Sequence, residues 1–522
     1  MTYSLLPLLV AAAHTPLGAV GELRYDPVVV AGGGPAGLST AIMLAKRGYR
    51  DITVLEQRSA SAYMNDTSDP SHMLTLFPRA QRVLSSLGVL VAVRASCLPN
   101  ALHNVTVVTP KRVRSVLIKE HERRRGDNHS SSSSTSSHSP SVWFISWNQL
   151  TKALCEHIDA RWSDSIRVAT DSRVINVERC DEQGSDMVDV TVRESAADGG
   201  SEVYTMSARL VVGADGGESR VADVMARMDP MCRRVTLGRP SSCNGVKNMR
   251  YKTFSLPSDL PLSSSQPPLP AGTPLTLSSS SFRLHVYPSP KNESRVGMAI
   301  VHRSHPLLRM RRGRDVLKYL QKAFPNVPIR SVVSRDEADR FAARKEHTFP
   351  SNSYIDHRVY HDSQMVLVGD AMHSMCADLR QGVSCALQDV ELLEWAIDRC
   401  DDDLTEALAL YDKMRANEAK AIVWLSYLYP VASGLTPLIR RNLWLLDFRI
   451  QSFLHKVLPR VFAPPPFVYV GRADVPYSTI LQRCMSTTRT IHTMETLAVG
   501  LCVGFGVYQY MRTVQGKASR LE

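Results

Sequence analysis

Apolar residues in this chain gather into short runs that end on glycine or an acid, and three of these runs set its organisation. The first, Val28–Ala31, ends in Gly32-Gly33-Gly34-Pro35-Ala36-Gly37, passes into a helically spaced segment, and returns as Ile52–Leu55 closed by Glu56. That pattern predicts a complete βαβ dinucleotide unit. Gly32 permits a tight turn, Gly34 lets the backbone approach a pyrophosphate, and Gly37 lets helix and strand pack closely, while the N–H groups at the helix start, Ala36 among them, can face an anion. Glu56 follows Gly32 by 24 residues, where its carboxylate can accept hydrogen bonds from ribose hydroxyls.

The second run, Leu210–Gly213, leads into Ala214-Asp215-Gly216-Gly217 and brings an acid to a strand tip, where Asp215 can meet ribose or pyrophosphate hydroxyls. The third begins at Met365, reaches Gly369-Asp370, and continues through Gln381-Gly382 into a helix with Ala386, Val390 and Leu393 at helical spacing. Asp370 is placed for ribityl or phosphate-linked hydroxyls. The N–H groups near Gly382 can face an electron-rich ring.

Between these runs the pattern predicts a loop over Ser59–Ser71 and a helical segment over Met73–Leu87, whose Arg79 either meets a phosphate or is a solvated helix charge. Alternation predicts strands at 105–118, 165–179 and 187–193, and Trp143–Ile158 reads as a short strand and an amphipathic helix. Residues 119–141 are basic and serine-rich and predict a disordered surface insertion. From 232 to 350 strand candidates such as Arg283–Tyr287 and Val296–Val301 surround a Pro/Ser-rich stretch, 257–281, expected to be a flexible insertion. Helical patterning resumes at Leu404.

The chain has 522 residues, 44 % hydrophobic and 21 % charged, long enough for two or three domains. A net charge of +12 favours anionic partners, a phosphorylated cofactor or an anionic lipid surface. No recognition motif accompanies the charge, which argues against nucleic acid. Ten cysteines without CxxC or metal-ligand spacing read as reduced intracellular thiols, and no metal site is expected. Leu5–Ala13 is apolar, but no Lys or Arg precedes it, which argues against a cleaved signal. Thr496–Met511 carries no charge over 16 residues, somewhat short of the ~20 that span a bilayer, and Arg512, Lys517 and Arg520 follow it. It reads as a membrane anchor or as a buried terminal helix. The sequence carries no signal for an oligomeric state.

Taken in order, GGGPAG, GADGGESRV and VGDAMHSMCADLRQG resemble the fingerprint of the group A FAD-dependent aromatic hydroxylases, over most of residues 27–430. The resemblance implies an α/β fold: a Rossmann-like FAD-binding domain, an inserted mainly antiparallel β-sheet substrate domain, and a helical C-terminal region. The corresponding segments are 24–231 and 351–400 for FAD, 232–350 for substrate, 401–490 for the helices and 491–522 for the hydrophobic tail. It also implies a cycle in which NADPH or NADH reduces FAD, O₂ adds to give a flavin hydroperoxide, and one oxygen passes to a small aromatic substrate. No side-chain nucleophile is implied.

Within the family the chain is most similar to the kynurenine-hydroxylating members. Its run from Phe453 to Arg483 and the Leu284–Pro288 turn carry that similarity, which implies an intracellular membrane, the mitochondrial outer membrane, as location. The chain departs from the family at Trp147, where an Arg is usual, and at Ala377 and Arg380 in the flavin loop. The kynurenine-carboxylate Arg falls at His103, its Tyr partner near Leu117 and the loop Asn at Ser384. Three readings stay open: a hydroxylase of a kynurenine-like aromatic, a flavoprotein that has lost hydroxylation, and an epoxidase of a lipid or isoprenoid. Arg380 is new positive charge, able to raise the flavin potential, to anchor an acidic substrate, or to point to solvent.

Overall fold

A computed structural model describes residues 23–65, 73–99, 104–110, 113–117, 142–180, 185–196, 199–238, 249–262, 267–279, 281–289, 293–428 and 438–518. The apolar stretch at Leu5–Ala13, His103 and the insertion 119–141 lie outside the described residues. The chain forms two compact units, Met1–Thr436 and Pro437–Glu522.

The first unit is organised on a six-stranded sheet with Val28–Ala31 near its middle, every residue of that strand buried. Its parallel neighbours are Ile52–Leu55 on one side and Leu210–Gly213 on the other, followed outward by Ile166–Ala169 and Met365–Leu367. Short runs of Val, Ile and Leu suit strands covered on both faces. Helices Pro35–Lys46, Trp147–Arg161 and Gly382–Arg399 bury their apolar sides in the same core. Trp147–Arg161 starts from a reciprocal cap in which Ser146 and Gln149 satisfy each other's main-chain donors. An antiparallel three-stranded sheet, Ser172–Arg179, Val188–Ser195 and Ser201–Ala208, follows, its inward Val174, Val190 and Val192 buried.

A second, seven-stranded sheet has the order 347–348, 249–256, 295–302, 282–286, 275–278, 104–108, 113–117. It is antiparallel except where Leu275–Leu277 runs parallel to Thr106–Val108. Its strands come from both sides of residue 232, because the hairpin at 104–117 joins it. One face carries Phe254, Leu256, Leu277, Phe282, Leu284 and Val286 into a core shared with helices Gly313–Ala323 and Arg335–Ala343. The segment read as mainly β therefore also holds helices.

The expected flexible insertion at 257–281 is corrected. Over its described residues it is ordered: Leu260 pairs with Leu269, Leu260 and Leu262 are buried, and Leu275–Ser278 is a full sheet strand. The cause is Arg295, fully buried, whose guanidinium donates to the carbonyls of Ser258 (2.7 Å), Thr273 (2.8 Å) and Pro270. Serine and proline content concealed the alternating leucines.

The second unit holds helices Leu438–Val457, Pro466–Tyr469 and Tyr477–Ala518. Among the described residues, Tyr477–Met511 is the helix long and apolar enough to cross a membrane. Leu501, Phe505 and Tyr508 on it are exposed.

Candidate functional site

Two loops meet at the carboxyl ends of the parallel strands. In the first, Gly32 has φ +107°, and a Cβ on it would sit 2.4 Å from the Ala214 carbonyl oxygen. A Cβ on Gly37 would sit 2.0 Å from the Gly32 carbonyl oxygen, so neither position admits another residue without movement of backbone. Gly34, by contrast, faces open space. The helix behind it begins with Pro35, has no side-chain cap and no acid in its first turn, and so presents its N-terminal partial positive charge. Glu56 is buried; one oxygen accepts the Gly33 N–H (3.0 Å) and the other accepts the Arg58 N–H and Nε (2.9 and 2.8 Å). Tyr63 donates its hydroxyl to the Gly33 carbonyl (2.5 Å). Arg58 then lies 4.1 Å over the Trp147 ring and 5.1 Å over that of Tyr63.

In the second loop Gly369 takes φ +63°, and a Cβ there would meet the Ala36 methyl at 3.0 Å, so the two motifs touch. Asp370 accepts no hydrogen bond from the described residues, and burial pushes its carboxyl pKa up. Asp215 uses one oxygen to accept the N–H groups of Arg220 (2.6 Å) and Val221 (3.3 Å), capping the following helix. Its other oxygen is buried without a partner among the described residues, and burial raises this carboxyl as well. Arg234 acts electrostatically on both acids while donating to the Ala371 carbonyl (2.8 Å). Sequence reading missed it, because Arg234 lies on a three-residue strand, paired with Ser353–Ile355, with no motif around it.

Behind Gly369 lies a charged network with no exposure. Asp389 accepts the Gly369 N–H (2.6 Å) and His373 Nε2 (2.7 Å) with one oxygen and Arg415 Nε with the other. Arg415 also reaches the Cys385 carbonyl (3.1 Å) and thiol (2.8 Å). Burial pushes the His373 imidazole down, but Asp389 and Cys385 outweigh it and carry its pKa to about 10. Burial pushes Asp389 up, but Arg415 and His373 outweigh it and hold the carboxyl below its ordinary value. His373, Cys385 and Asp389 have metal-ligating atoms close together, but the guanidinium against that thiol and carboxylate opposes a cation. The signal that could have revealed the network was an acid at position 389 on an otherwise apolar helix face.

The remaining expected residues are placed as follows. Arg79 is buried rather than solvated, with Nη1 3.4 Å from Gln388 on the helix that starts at Gly382. Ser384 is buried, accepting the Phe77 N–H (3.3 Å) and donating to the Thr75 carbonyl (3.4 Å), which commits it to the main chain. Gly382 faces open space. Arg380, at φ +54°, lies between a 3₁₀ turn and that helix, close enough to His285 and Tyr287 to act on both.

These features fit a dinucleotide with a ring-bearing end. Open space beside Gly34 and Gly382, an uncapped helix start, and unpartnered oxygens on Asp215 and Asp370 are what phosphates and a hydroxyl-bearing linker require. The fold and site thus define an FAD-binding flavoprotein, and residues 25–228 match the family model described as an FAD binding domain. Over that part the chain is similar to the group A flavoprotein hydroxylases. It is 25 % identical over 197 residues to a kynurenine 3-monooxygenase of Caenorhabditis briggsae, covering 36 % of this chain and 41 % of that protein. The chain thus matches about two fifths of the length of that curated relative. Among solved structures, the probable FAD-dependent monooxygenase PqsL of Pseudomonas aeruginosa aligns with TM-score 0.52 at 21 % identity, over 79 % of this chain and 98 % of that one. Tetrameric 2-methyl-3-hydroxypyridine-5-carboxylic acid oxygenase aligns with TM-score 0.55 at 18 % identity, over 88 % and 98 %. At such identities these two likenesses concern the fold.

Proposed function

We propose that this protein is an FAD-dependent monooxygenase that uses NADPH or NADH and O₂ to oxygenate a small aromatic, kynurenine-like substrate. The observation that carries this reading is the meeting of three loops, Gly369 against Ala36 and Gly32 against Ala214 and Asp215, which brings Asp370 and the one unpartnered oxygen of Asp215 towards one uncapped helix start. FAD, when bound, would supply the redox chemistry: with a hydride from the nicotinamide, one atom of O₂ would be inserted into an electron-rich ring and the other would leave as water.

The protein's residues supply position and polarity. The Gly32–Gly37 turn and the helix dipole hold the pyrophosphate, Glu56 accepts from the adenosine ribose, and Asp370 accepts from the ribityl chain. Asp215 offers its second oxygen to the same hydroxyls. Arg79, buried against Gln388, would add its charge on the phosphate side. The helix start at Gly382 offers N–H groups to the ring, and Asp389 fixes the Gly369 main chain from behind. The length and apolarity of Tyr477–Met511 support attachment to an intracellular membrane, and the resemblance stated from the sequence implies the mitochondrial outer membrane.

The test uses the full chain purified in mild detergent, its visible spectrum, and NADPH oxidation under air with and without kynurenine. Bound flavin, and oxidation that rises with substrate and yields a ring-hydroxylated product, is the expected outcome. Oxidation yielding only hydrogen peroxide would instead favour a flavoprotein that has lost hydroxylation, and oxygen gained at an alkene would select the epoxidase. Removing residues 477–522 is expected to release the protein from the membrane fraction; retention there overturns the anchor.

A further inference from the structure

The basic side chains of this protein are not spread evenly. Residues 303–345 hold twelve Lys and Arg against four acids, in a chain whose whole excess of positive charge is twelve. Helix Gly313–Ala323 turns Val316 and Leu320 into the core and leaves Arg314, Lys318 and Lys322 outside at spacings of four, one stripe along its outer face. Arg303, Arg309, Arg311 and Arg312, just before the helix, are exposed as well. The acids of the region do little to offset them. Asp315 lies 3.5 Å from Arg314, Glu337 is buried and paired with Arg340 and Arg344, and Asp339 accepts the Gly313 N–H (2.7 Å). Only Asp336 is exposed without an ion pair among the described residues.

This arrangement runs against the local electrostatics. Like charges four apart on a helix repel, and cations at a helix start oppose its dipole, yet Arg311, Arg312 and Arg314 gather there. A surface of mixed signs would be as soluble. With the apolar side of the helix committed to the core, the cations contribute nothing to packing, and a polyanion outside the chain is what neutralises them. The chemistry of the patch selects among polyanions. Among residues 303–345, all of them described, no Phe, Tyr or Trp is exposed, so a base finds no stacking platform. No large apolar side chain is exposed there either, which leaves a protein partner without an anchor. Long, flexible cations on a convex helix suit mobile phosphates. At an anionic bilayer each Lys or Arg within a Debye length strengthens binding about 5-fold.

We propose that the face carrying Arg309, Arg311, Arg312, Lys318 and Lys322 docks on an anionic phospholipid surface. The proposal rests on the membrane reading for the choice of a bilayer, and it adds a contact made through headgroups alone, in the unit that does not hold the apolar helix. Because nothing apolar inserts, this contact is fully sensitive to salt.

The test adds the full chain, by detergent dilution, to vesicles of phosphatidylcholine with and without about one third phosphatidylserine. Flotation reads attachment. Amine acylation followed by mass spectrometry reads the exposure of Lys318 and Lys322, with the exposed Lys152 as internal control. The chain is expected to float with both kinds of vesicle. Only on the phosphatidylserine vesicles should Lys318 and Lys322 be acylated several-fold more slowly relative to Lys152, and about 0.5 M salt should remove that protection. Arg309→Gln, Arg311→Gln and Arg312→Gln together should weaken the anionic contact about 100-fold and return both lysines to their rate on phosphatidylcholine, with flavin content unchanged. Equal acylation on both kinds of vesicle overturns the proposal and leaves the anchor standing. Protection that survives in the triple variant overturns it too, as does stronger protection by duplex DNA than by vesicles at equal phosphate, which would assign the face to nucleic acid. A chain that floats only with phosphatidylserine, its lysines protected, upholds the proposal and removes the anchor; one that floats with neither removes both.

Discussion

In the loop between Gly32 and Glu56 the decisive contacts are made by main chain and by missing Cβ atoms. Between Gly369 and Arg415, charges buried in the core take over that task. The first end depends on steric exclusion: Gly37 leaves room for the Gly32 carbonyl at a distance no side chain could tolerate. The second depends on balance, with one carboxylate holding an N–H, an imidazole and a guanidinium. Steric constraints are local and fail one residue at a time. An electrostatic balance is shared, so removing any member leaves the others uncompensated.

The largest effect is expected from Asp389→Asn. It leaves Arg415 and His373 buried without their carboxylate and should cost about 3–5 kcal/mol of stability, read by denaturant unfolding. A loss below about 1 kcal/mol would mean that the network is not a unit. The same network predicts a pH dependence. An imidazole at about 10 when folded and 6.5 when free contributes stability that is whole below pH 6.5 and is lost as pH rises to 10. The depressed Asp389 contributes stability present above the ordinary carboxylate value and lost as acid is added. The thermal midpoint should therefore decline across the alkaline window, and His373→Gln should flatten that decline; an unaltered slope would show that His373 does not carry the charge.

At the other end, Gly37→Ala should cost roughly 1–3 kcal/mol through overpacking and lower the flavin-to-protein ratio of the purified chain. Normal flavin content would show that the loop yields more readily than its contacts imply. The smallest effect belongs to Trp147→Ala, which removes the ring beneath Arg58. About 1 kcal/mol, or a few-fold weaker FAD binding by fluorescence titration, is expected, with no change in the pH profile. A large pH effect there would break the distinction between the two ends.

The same contrast explains what the sequence revealed. Gly32, Gly34, Gly37 and Glu56 stand in one short segment whose spacing is set by turn sterics, so the βαβ unit was legible in full. The strand tips carrying Asp215 and Asp370 were legible because an acid ends each apolar run. His373, Asp389 and Arg415 lie on three segments and meet only through the packing of two long helices, so no local pattern joins them. Ser384 was assigned to substrate, yet its hydroxyl is committed to the main chain of residues 75 and 77. The hairpin at 104–117 was legible as alternation but not as part of the second sheet, because sheet membership depends on pairing with residues far along the chain. Arg295 was invisible, since an arginine inside a strand ordinarily signals a solvated face.

Arg295 bears on how this protein can change over time. Its hydrogen bonds to the described part of the Pro/Ser-rich segment go to main-chain carbonyls, at Ser258, Pro270 and Thr273, and a carbonyl is common to every amino acid. Apart from the buried Leu260 and Leu262 and from Asp259, which accepts the Ala271 N–H, the described side chains between those three points can therefore drift with little selective cost while the path of the segment is kept. One arginine confers mutational freedom on the residues around it and surrenders its own.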